Sequence, residues 1–193
     1  LILQMPMNGF LHRFRADPHG AAAEQIRVVN KESQNLHAEI LLRRLGLKAF
    51  GDASVESSLR AREAFLQRLG VRAEGTAMYD GSGLSRADLT TARAEVDLLM
   101  GMAKHPLAQI FKASLPIAGV DGSLKRRMAG TVGQGRVFAK TGSIRHVNGL
   151  ADYADSRSGR RLAFAIIVNH YTRPPNEVTD AMDAICLLLA DLR

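Results

Sequence analysis

The most restrictive feature of this sequence is an apolar run near its C-terminal end, Leu162 to Val168, with the sequence LAFAIIV. Successive residues of a strand point to opposite faces, so this run is apolar on both. Such a strand suits a sheet that is covered by helices on both sides. The predicted strand that contains this run spans Arg161 to Asn169, and two earlier segments, Arg136 to Ser143 and Val147 to Asp155, also have strand character. We therefore predict an α/β (α+β) architecture in which an antiparallel sheet is flanked by helices.

Apolar residues at helical spacing predict several helices around this sheet. The first runs from about Glu24 to Leu45, with Gly46 as its C-terminal cap, and the second spans Val55 to Leu69. A third is predicted to begin at Ser85, because Asp88 three residues later completes a capping-box pattern. The helical segments thus precede the strands, which excludes a regular alternation of strand and helix.

The length of 193 residues predicts one domain, which we place at residues 25–193. A short helix near Pro106 to Ala113 and a final helix after Pro175 complete it. Residues 1–24 lack sustained periodicity and contain two prolines and two glycines, so we predict irregular structure there. The sequence does not begin with Met and shows no signal-peptide pattern at its start, so we expect the natural start to lie upstream.

Composition argues against several function classes. Lys and Arg outnumber Asp and Glu by 26 to 19, but the basic residues are scattered and only 5% of the chain is aromatic, which disfavours nucleic acid as a partner. No apolar run approaches the length of about 20 residues that a membrane helix needs, so we expect no stable membrane insertion. The six histidines form no i, i+4 pair, so no metal site is expected. Cys186 lies among apolar residues and is interpreted as a buried side chain.

Two short motifs point to chemistry. Lys140-Thr141-Gly142-Ser143 ends the first predicted strand, and Ser33-Gln34-Asn35 stands earlier, at a helix boundary. A lysine and a glycine on an edge strand are common without any function, so the tetrapeptide alone is a weak signal. The order S-x-N and then K-T-G is that of penicillin-recognising acyl transferases, in which an S-x-x-K element comes first. The chain order therefore favours the functional interpretation.

Three further blocks make the resemblance specific. They are Asn30 to Glu39, Tyr79 to Ser85 and Pro116 to Leu124. With the Lys140 motif, they resemble the D-alanyl-D-alanine carboxypeptidase and endopeptidase family of class C low-molecular-mass penicillin-binding proteins. The resemblance extends over roughly residues 26 to 192. It implies a β-lactamase/transpeptidase-like fold that is incomplete on its N-terminal side.

The resemblance implies catalytic roles for three residues. Ser33 would relay a proton toward the leaving D-alanine. Asn35 would hydrogen-bond the substrate peptide and help to organise the active-site lysines. Lys140 would supply positive potential where negative charge develops, which is a large term in acyl transfer.

Three further residues would bind the substrate. Thr141 would offer a hydroxyl to the substrate carboxylate, and Gly142 would let the peptide lie along the strand as an added β-strand. The backbone N–H of Ser143 would be one of two oxyanion donors. The implied substrates are peptidoglycan stem peptides ending in D-Ala-D-Ala, cleaved through an acyl-enzyme without metal or cofactor, and β-lactams would be inhibitors. The implied location is the periplasm or another exported site.

The sequence departs from the family pattern in the nucleophile. None of its serines is followed by a lysine three positions later, so the S-x-x-K element is absent. We expect this chain alone not to acylate, and we expect the N-terminal half of the same protein to supply the nucleophile as its partner. Gln34 replaces the usual Asp of S-D-N, and Asp152 stands where the family usually has a small residue, which questions the packing of that strand.

Two alternatives remain open. A non-catalytic peptidoglycan-binding module could keep the groove without the nucleophile, and turnover by the protein with its native upstream sequence would exclude it. A β-lactamase or esterase could use the same scaffold. Rapid release of cleaved penicillin, without action on D-Ala-D-Ala peptides, would favour this second alternative.

Overall fold

The computed structural model describes residues 18–72 and 74–193. In chain order, the elements in these residues are α1 Pro18–Glu32, α2 Asn35–Phe50, α3 Val55–Arg68, α4 Ala92–Lys104, α5 Ala108–Ser114, a 3-10 helix Gly122–Leu124, β1 Val137–Ile144, β2 Val147–Asp155, β3 Arg161–Asn169 and α6 Pro175–Asp191. None of these helices is both long enough and apolar enough to cross a membrane.

The three strands form an antiparallel sheet in the order β1-β2-β3, as the sequence predicts. Lys140 lies opposite Ala151, and Ala151 lies opposite Ala165. The bounds of β2 and β3 agree with the predicted segments, and β1 is displaced by one residue. Within the described residues both β1 and β3 are edge strands.

Helices cover both faces of the sheet. On one face Leu150 and Phe164 pack against Met182 and Cys186 of α6 in the main hydrophobic core. On the other face Tyr153 packs against Leu99 of α4, and its hydroxyl donates a 2.7 Å hydrogen bond to the Leu99 carbonyl. This arrangement confirms the predicted architecture.

The apolar run of β3 is less completely covered than its sequence suggests. Phe164 is buried, but Ile166 and Ile167 are only half-buried. The reason is the position of the strand, because no described strand pairs with the outer edge of β3. Apolar side chains at a sheet edge receive neighbours from one side only.

The first predicted helix is two helices in the structure. The helical conformation is interrupted between α1 and α2 at Ser33, whose φ is 53°. The prediction that Gly46 caps the helix is also wrong, since α2 continues to Phe50 and is capped by Gly51 at φ 71°. Gly46 instead permits close packing on α3, because a Cβ there would lie 2.6 Å from the Ser58 Oγ.

The prediction of irregular structure up to residue 24 is wrong for residues 18–24, which belong to α1. The prolines and glycines of this segment suggested a loop, but the described part of α1 starts at Pro18 and includes Gly20. Three alanines follow and favour the helix. Residues 1–17 lie outside the described residues, and the boundary at residue 25 stays a prediction.

The third helix begins later than the capping-box pattern predicts. Thr91 is its N-cap and accepts a hydrogen bond from the Ala94 backbone N–H at 3.1 Å. Ser85 lies in the preceding loop, and the Asp88 carboxylate accepts a 2.7 Å hydrogen bond from the backbone N–H of Tyr79. The two polar residues therefore fold the loop rather than start a helix.

Cys186 is fully buried in the core, as predicted. Burial is the main cause that raises the pKa of its thiol to about 12. The thiol therefore stays protonated and behaves as a small apolar side chain.

We predict that Cys186→Ala lowers the free energy of unfolding by about 1 kcal/mol, because it leaves a small cavity in a packed core. Thermal unfolding of the full-length protein measures the effect. Asp180→Ala, an exposed change on the same helix, is the matched control and should shift the midpoint little. Equal shifts for the two variants would contradict the assignment of Cys186 to the core.

Candidate active site

The two sequence motifs meet in the structure. The Lys140 Nζ donates a 2.7 Å hydrogen bond to the Ser33 Oγ. Ser33 occupies the break between α1 and α2, and Lys140 projects from β1. A non-glycine residue at a φ of 53° is uncommon and strained. Strain of this kind persists where the surrounding structure enforces it, and it is found often at functional sites.

Polar contacts fix the end of α1 that leads into Ser33. Lys31 is buried, and its Nζ lies 2.5 Å from the Asp121 carboxylate, in the loop that precedes β1. The Asn30 Nδ2 donates a 2.7 Å hydrogen bond to the Ser114 Oγ at the end of α5. These contacts connect the helical part of the chain to the segment that leads into the sheet.

The environment of Lys140 favours release of its proton. Burial is the main cause that lowers the pKa of its amine, and the charge of Asp152 opposes this shift. The amine also donates a 2.7 Å hydrogen bond to the Thr141 carbonyl. The amine is therefore held in place and is more acidic than an exposed lysine.

Asp152 is a buried acid within the sheet. Its Oδ2 accepts a 2.9 Å hydrogen bond from the backbone N–H of Lys140. Burial is the main cause that raises its pKa to about 8, and the charge of Glu95 contributes. From the sequence, an acid at this position is expected to disturb the packing of the strand. The structure keeps the strand pairing, with Asp152 opposite Ala139 and Phe164. The φ of Asp152 is 142°, a value that favours glycine.

The outer edge of β1 is open beside the lysine. The Ala139 N–H faces outward and donates a 3.0 Å hydrogen bond to the Pro116 carbonyl. Alternate residues of an antiparallel strand direct their N–H groups to the same side, so those of Thr141 and Ser143 also face outward. Both Gly142 and Ser143 are exposed, and a Cβ at Gly142 would meet nothing within 4 Å. An extended peptide has room to lie along this edge.

The structure adds one polar residue that the sequence analysis missed. The Thr141 Oγ1 donates a 2.9 Å hydrogen bond to the Ser123 Oγ. Ser123 lies in a block that carried the family resemblance, but a lone serine has no spacing that marks it as part of a site. Asn35 is exposed in the first turn of α2, and within the described residues its amide makes no hydrogen bond.

A cavity of about 200 Å³ lies beside the same strand. It lies between Thr141 to Ser143 of β1 and the N-terminal half of α6, with Arg127 at its wall, and it is partly open to solvent. Ser33 and Lys140 do not line it. We therefore place the candidate site at the Ser33–Lys140 contact and the open edge of β1, where the polar groups converge, rather than in this cavity.

No group of three or more His, Cys, Asp or Glu side chains in the described part of the chain is arranged to hold a metal ion. The site instead combines an amine, three hydroxyls and outward-facing backbone N–H groups. Such a set can transfer protons and bind a carboxylate or an oxyanion.

Residues 22–190 match the D-Ala-D-Ala carboxypeptidase 3 (S13) family. A D-alanyl-D-alanine carboxypeptidase from an Actinomadura species is 41% identical over 174 residues, which are 86% of this chain and 32% of that protein. Carboxypeptidase DacB from Mycolicibacterium smegmatis is 33% identical over 168 residues, which are 84% of this chain and 36% of that protein. The chain therefore spans about a third of the length of these relatives.

Solved structures show the same fold. Penicillin-binding protein 4 (dacB) from Haemophilus influenzae, in complex with a β-lactam, superposes with a TM-score of 0.79 at 27% identity. The match covers 88% of this chain and 41% of that chain. An extended-spectrum β-lactamase superposes with a TM-score of 0.64 at 18% identity, over 85% of this chain and 61% of that chain. The sheet and its helices thus belong to the β-lactamase/transpeptidase-like fold.

We predict that Asp152→Asn stabilises the protein increasingly as the pH rises from about 4 to 8. The pKa of Asp152 is about 8 in the folded state, against 3.8 for an ordinary aspartate. Unfolding in this range therefore releases a proton, and the free energy of unfolding falls with rising pH. Asn cannot ionise, so the free energy of unfolding of the variant does not fall with rising pH for this reason. Thermal midpoints of the full-length protein at pH 4, 6 and 8 measure the difference.

Asp155→Asn on the same strand is the control, because the pKa of Asp155 is shifted in the opposite direction from that of Asp152. Burial raises the pKa of Asp155, but hydrogen bonds from Arg161 and Lys112 outweigh it and hold the pKa below its usual range. Such a group stabilises the fold above its unfolded pKa, and this contribution is lost as the pH falls. The control should therefore be destabilised by a similar amount at pH 6 and 8, and this destabilisation should disappear only well below pH 4, as the pH falls through the lowered pKa. A constant effect of Asp152→Asn at all three pH values would contradict the raised pKa.

Proposed function

Because this chain belongs to the D-Ala-D-Ala carboxypeptidase 3 (S13) family, we propose that it is the proton-relay and substrate-binding part of a serine-type D-Ala-D-Ala carboxypeptidase. Its substrates are peptidoglycan stem peptides, and it also cleaves peptide cross-links as an endopeptidase. The single observation that carries the proposal is the 2.7 Å hydrogen bond from the Lys140 Nζ to the Ser33 Oγ. This contact joins the two motifs that the reaction needs.

Ser33 acts as the proton relay to the leaving D-alanine. Its oxygen accepts the hydrogen bond from Lys140, so its own hydrogen is free to point toward the substrate. When the peptide C–N bond breaks, Ser33 donates this proton to the leaving nitrogen and takes another from the Lys140 ammonium. The lowered pKa of Lys140 makes the second transfer easier. Asn35 hydrogen-bonds the substrate peptide beside them.

The open edge of β1 binds the substrate. The peptide lies along Thr141 to Ser143 as an added strand, a mode in which backbone hydrogen bonds give most of the affinity. The Thr141 hydroxyl binds the terminal carboxylate, and Gly142 leaves room for the peptide. The Ser143 N–H donates to the oxyanion that forms at the scissile carbonyl.

The nucleophile is a serine outside these 193 residues, in the N-terminal half of the same protein, because this sequence contains no S-x-x-K. Its hydroxyl oxygen attacks the carbonyl of the penultimate D-alanine while its proton passes to the lysine of the same S-x-x-K element, and D-alanine leaves with the proton from Ser33. Water then hydrolyses the resulting ester and regenerates the serine. The reaction requires no metal or cofactor, since backbone N–H groups stabilise the oxyanion.

β-Lactams are the proposed inhibitors, and the periplasm or another exported site is the proposed location. The Haemophilus influenzae protein of the same fold has been crystallised with a β-lactam. A β-lactam carries a strained amide and a carboxylate, and the groups placed at β1 suit both. A cell-wall substrate also requires an exported enzyme.

The first prediction concerns acylation by penicillin. We expect a single penicilloyl adduct on the protein with its native upstream sequence and none on the 193-residue chain alone, as measured by intact-protein mass. Hydrolysed penicillin is the control and should leave both masses unchanged. An adduct on neither would favour the non-catalytic binding module, and an adduct on the short chain would place the nucleophile within it. Rapid loss of the adduct, without cleavage of D-Ala-D-Ala peptides, would favour a β-lactamase.

The second prediction concerns Lys140→Ala in the full-length protein. We expect the second-order rate constant of acylation by penicillin to fall by a factor on the order of 100 to 1000, because a fixed charge at the reacting centre is lost. Lys48→Ala, at an exposed lysine of α2, is the control and should acylate at the parent rate. A near-normal rate for Lys140→Ala would contradict the proposed role.

A further inference from the structure

The Ser123 hydroxyl is exposed next to the strand that is proposed to bind substrate. Its Oγ lies 2.9 Å from the Thr141 Oγ1. Neither motif contains Ser123, and it reaches the site from the 3-10 helix Gly122–Leu124, which precedes β1 in the chain. Two hydroxyls from different parts of the chain thus lie side by side at the open edge.

Asp121 fixes the start of the segment that carries this hydroxyl. Its Oδ1 accepts a 2.9 Å hydrogen bond from the Ile117 backbone N–H. Its Oδ2 accepts a 2.5 Å hydrogen bond from the Nζ of buried Lys31. Lys31 is only two residues from Ser33, so one carboxylate holds the position of Ser123 relative to the proton relay.

The residues on either side of Ser123 are also constrained. Gly122 has a φ of 55°, and a Cβ there would lie 2.9 Å from the Lys31 carbonyl oxygen. Leu124 is fully buried in the main core. A serine between these two residues presents an exposed hydroxyl on a fixed support, so little conformational entropy is lost when it binds a ligand.

The hydrogen bonds leave one proton of the pair available. The Thr141 hydroxyl donates to Ser123, and within the described residues the Ser123 hydroxyl donates to no acceptor. A carboxylate accepts hydrogen bonds with two oxygens and donates none. When a carboxylate binds, the Thr141 hydroxyl rotates from Ser123 toward one carboxylate oxygen, and the Ser123 hydroxyl donates to the other. The Lys140 amine, next to Thr141 in the chain, supplies positive charge.

We propose that Ser123 is a specificity residue that binds the C-terminal carboxylate of the substrate together with Thr141. The proposal rests on the proposed function, because it assigns the bound end of the same peptide. With this pair of donors the enzyme selects substrates that have a free C-terminal carboxylate. An amide or an ester in the same place presents only one good acceptor to the Ser123 and Thr141 hydroxyls. A hydrogen bond to a charged group is also stronger than one to a neutral group.

The test compares penicillin with its methyl ester, which lacks the carboxylate charge, on the full-length protein and its Ser123→Ala variant. We expect the variant to acylate about tenfold more slowly with penicillin, as the loss of one charge-assisted hydrogen bond requires. We expect its rate with the methyl ester to change by less than about threefold. The acid-to-ester preference therefore falls, and Ser123→Thr, which keeps the hydroxyl, should restore it.

Each other outcome has a separate meaning. If the parent protein acylates but Ser123→Ala slows both compounds equally, Ser123 only supports the structure and the inference is wrong. If the variant keeps the parent preference, the carboxylate binds elsewhere and the inference is also wrong. If the parent protein forms no adduct with penicillin, the proposed function itself fails. Thermal unfolding of the variant confirms that it is folded.

Discussion

The ion pair between Lys31 and Asp121 is the interaction on which the site depends. Lys31 is buried, so its charge would be costly without a partner. Removing Asp121 would leave that charge unpaired and would also free the Ile117 N–H. An ion pair of this kind adds little net stability, but it specifies one arrangement of the two segments. That arrangement places Ser33 within hydrogen-bonding distance of Lys140.

Two residues with a strained backbone contact Lys140. Ser33, which contacts its amine, has a φ of 53°, and Asp152, which contacts its backbone N–H, has a φ of 142°. Neither residue is a glycine, so each conformation costs free energy that the rest of the fold supplies. The burial of an acid at Asp152 adds to this cost. Stability is thus lower around the lysine than a relaxed backbone would allow.

The sequence predicts the sheet better than the helices, and there are physical reasons for this difference. The apolar run of β3 has few alternatives to a covered strand, and its predicted bounds are confirmed. The sequence places the triplet Ser33-Gln34-Asn35 at a helix boundary, but the helical spacing on both sides of it predicts one helix from about Glu24 to Leu45. Ser85 and Asp88 match a capping box, yet tertiary hydrogen bonds use them in a loop and Thr91 caps the helix instead. Within the site, the order of the two motifs predicted that both belong to one site, and the structure brings Ser33 and Lys140 into contact. The approach of Ser123 to Thr141 depends on tertiary packing, which leaves no pattern in the sequence.

The open edge of β3 affects how this chain behaves in isolation. The strand is apolar on both faces, and no described strand pairs with its outer side. Such an edge offers unpaired N–H and carbonyl groups and is a template for a strand from another molecule. If this edge is also unpaired in the whole 193-residue chain, the isolated chain will be prone to edge-to-edge aggregation at high concentration. A self-paired oligomer formed in this way would be a product of the exposed edge and not a biological assembly.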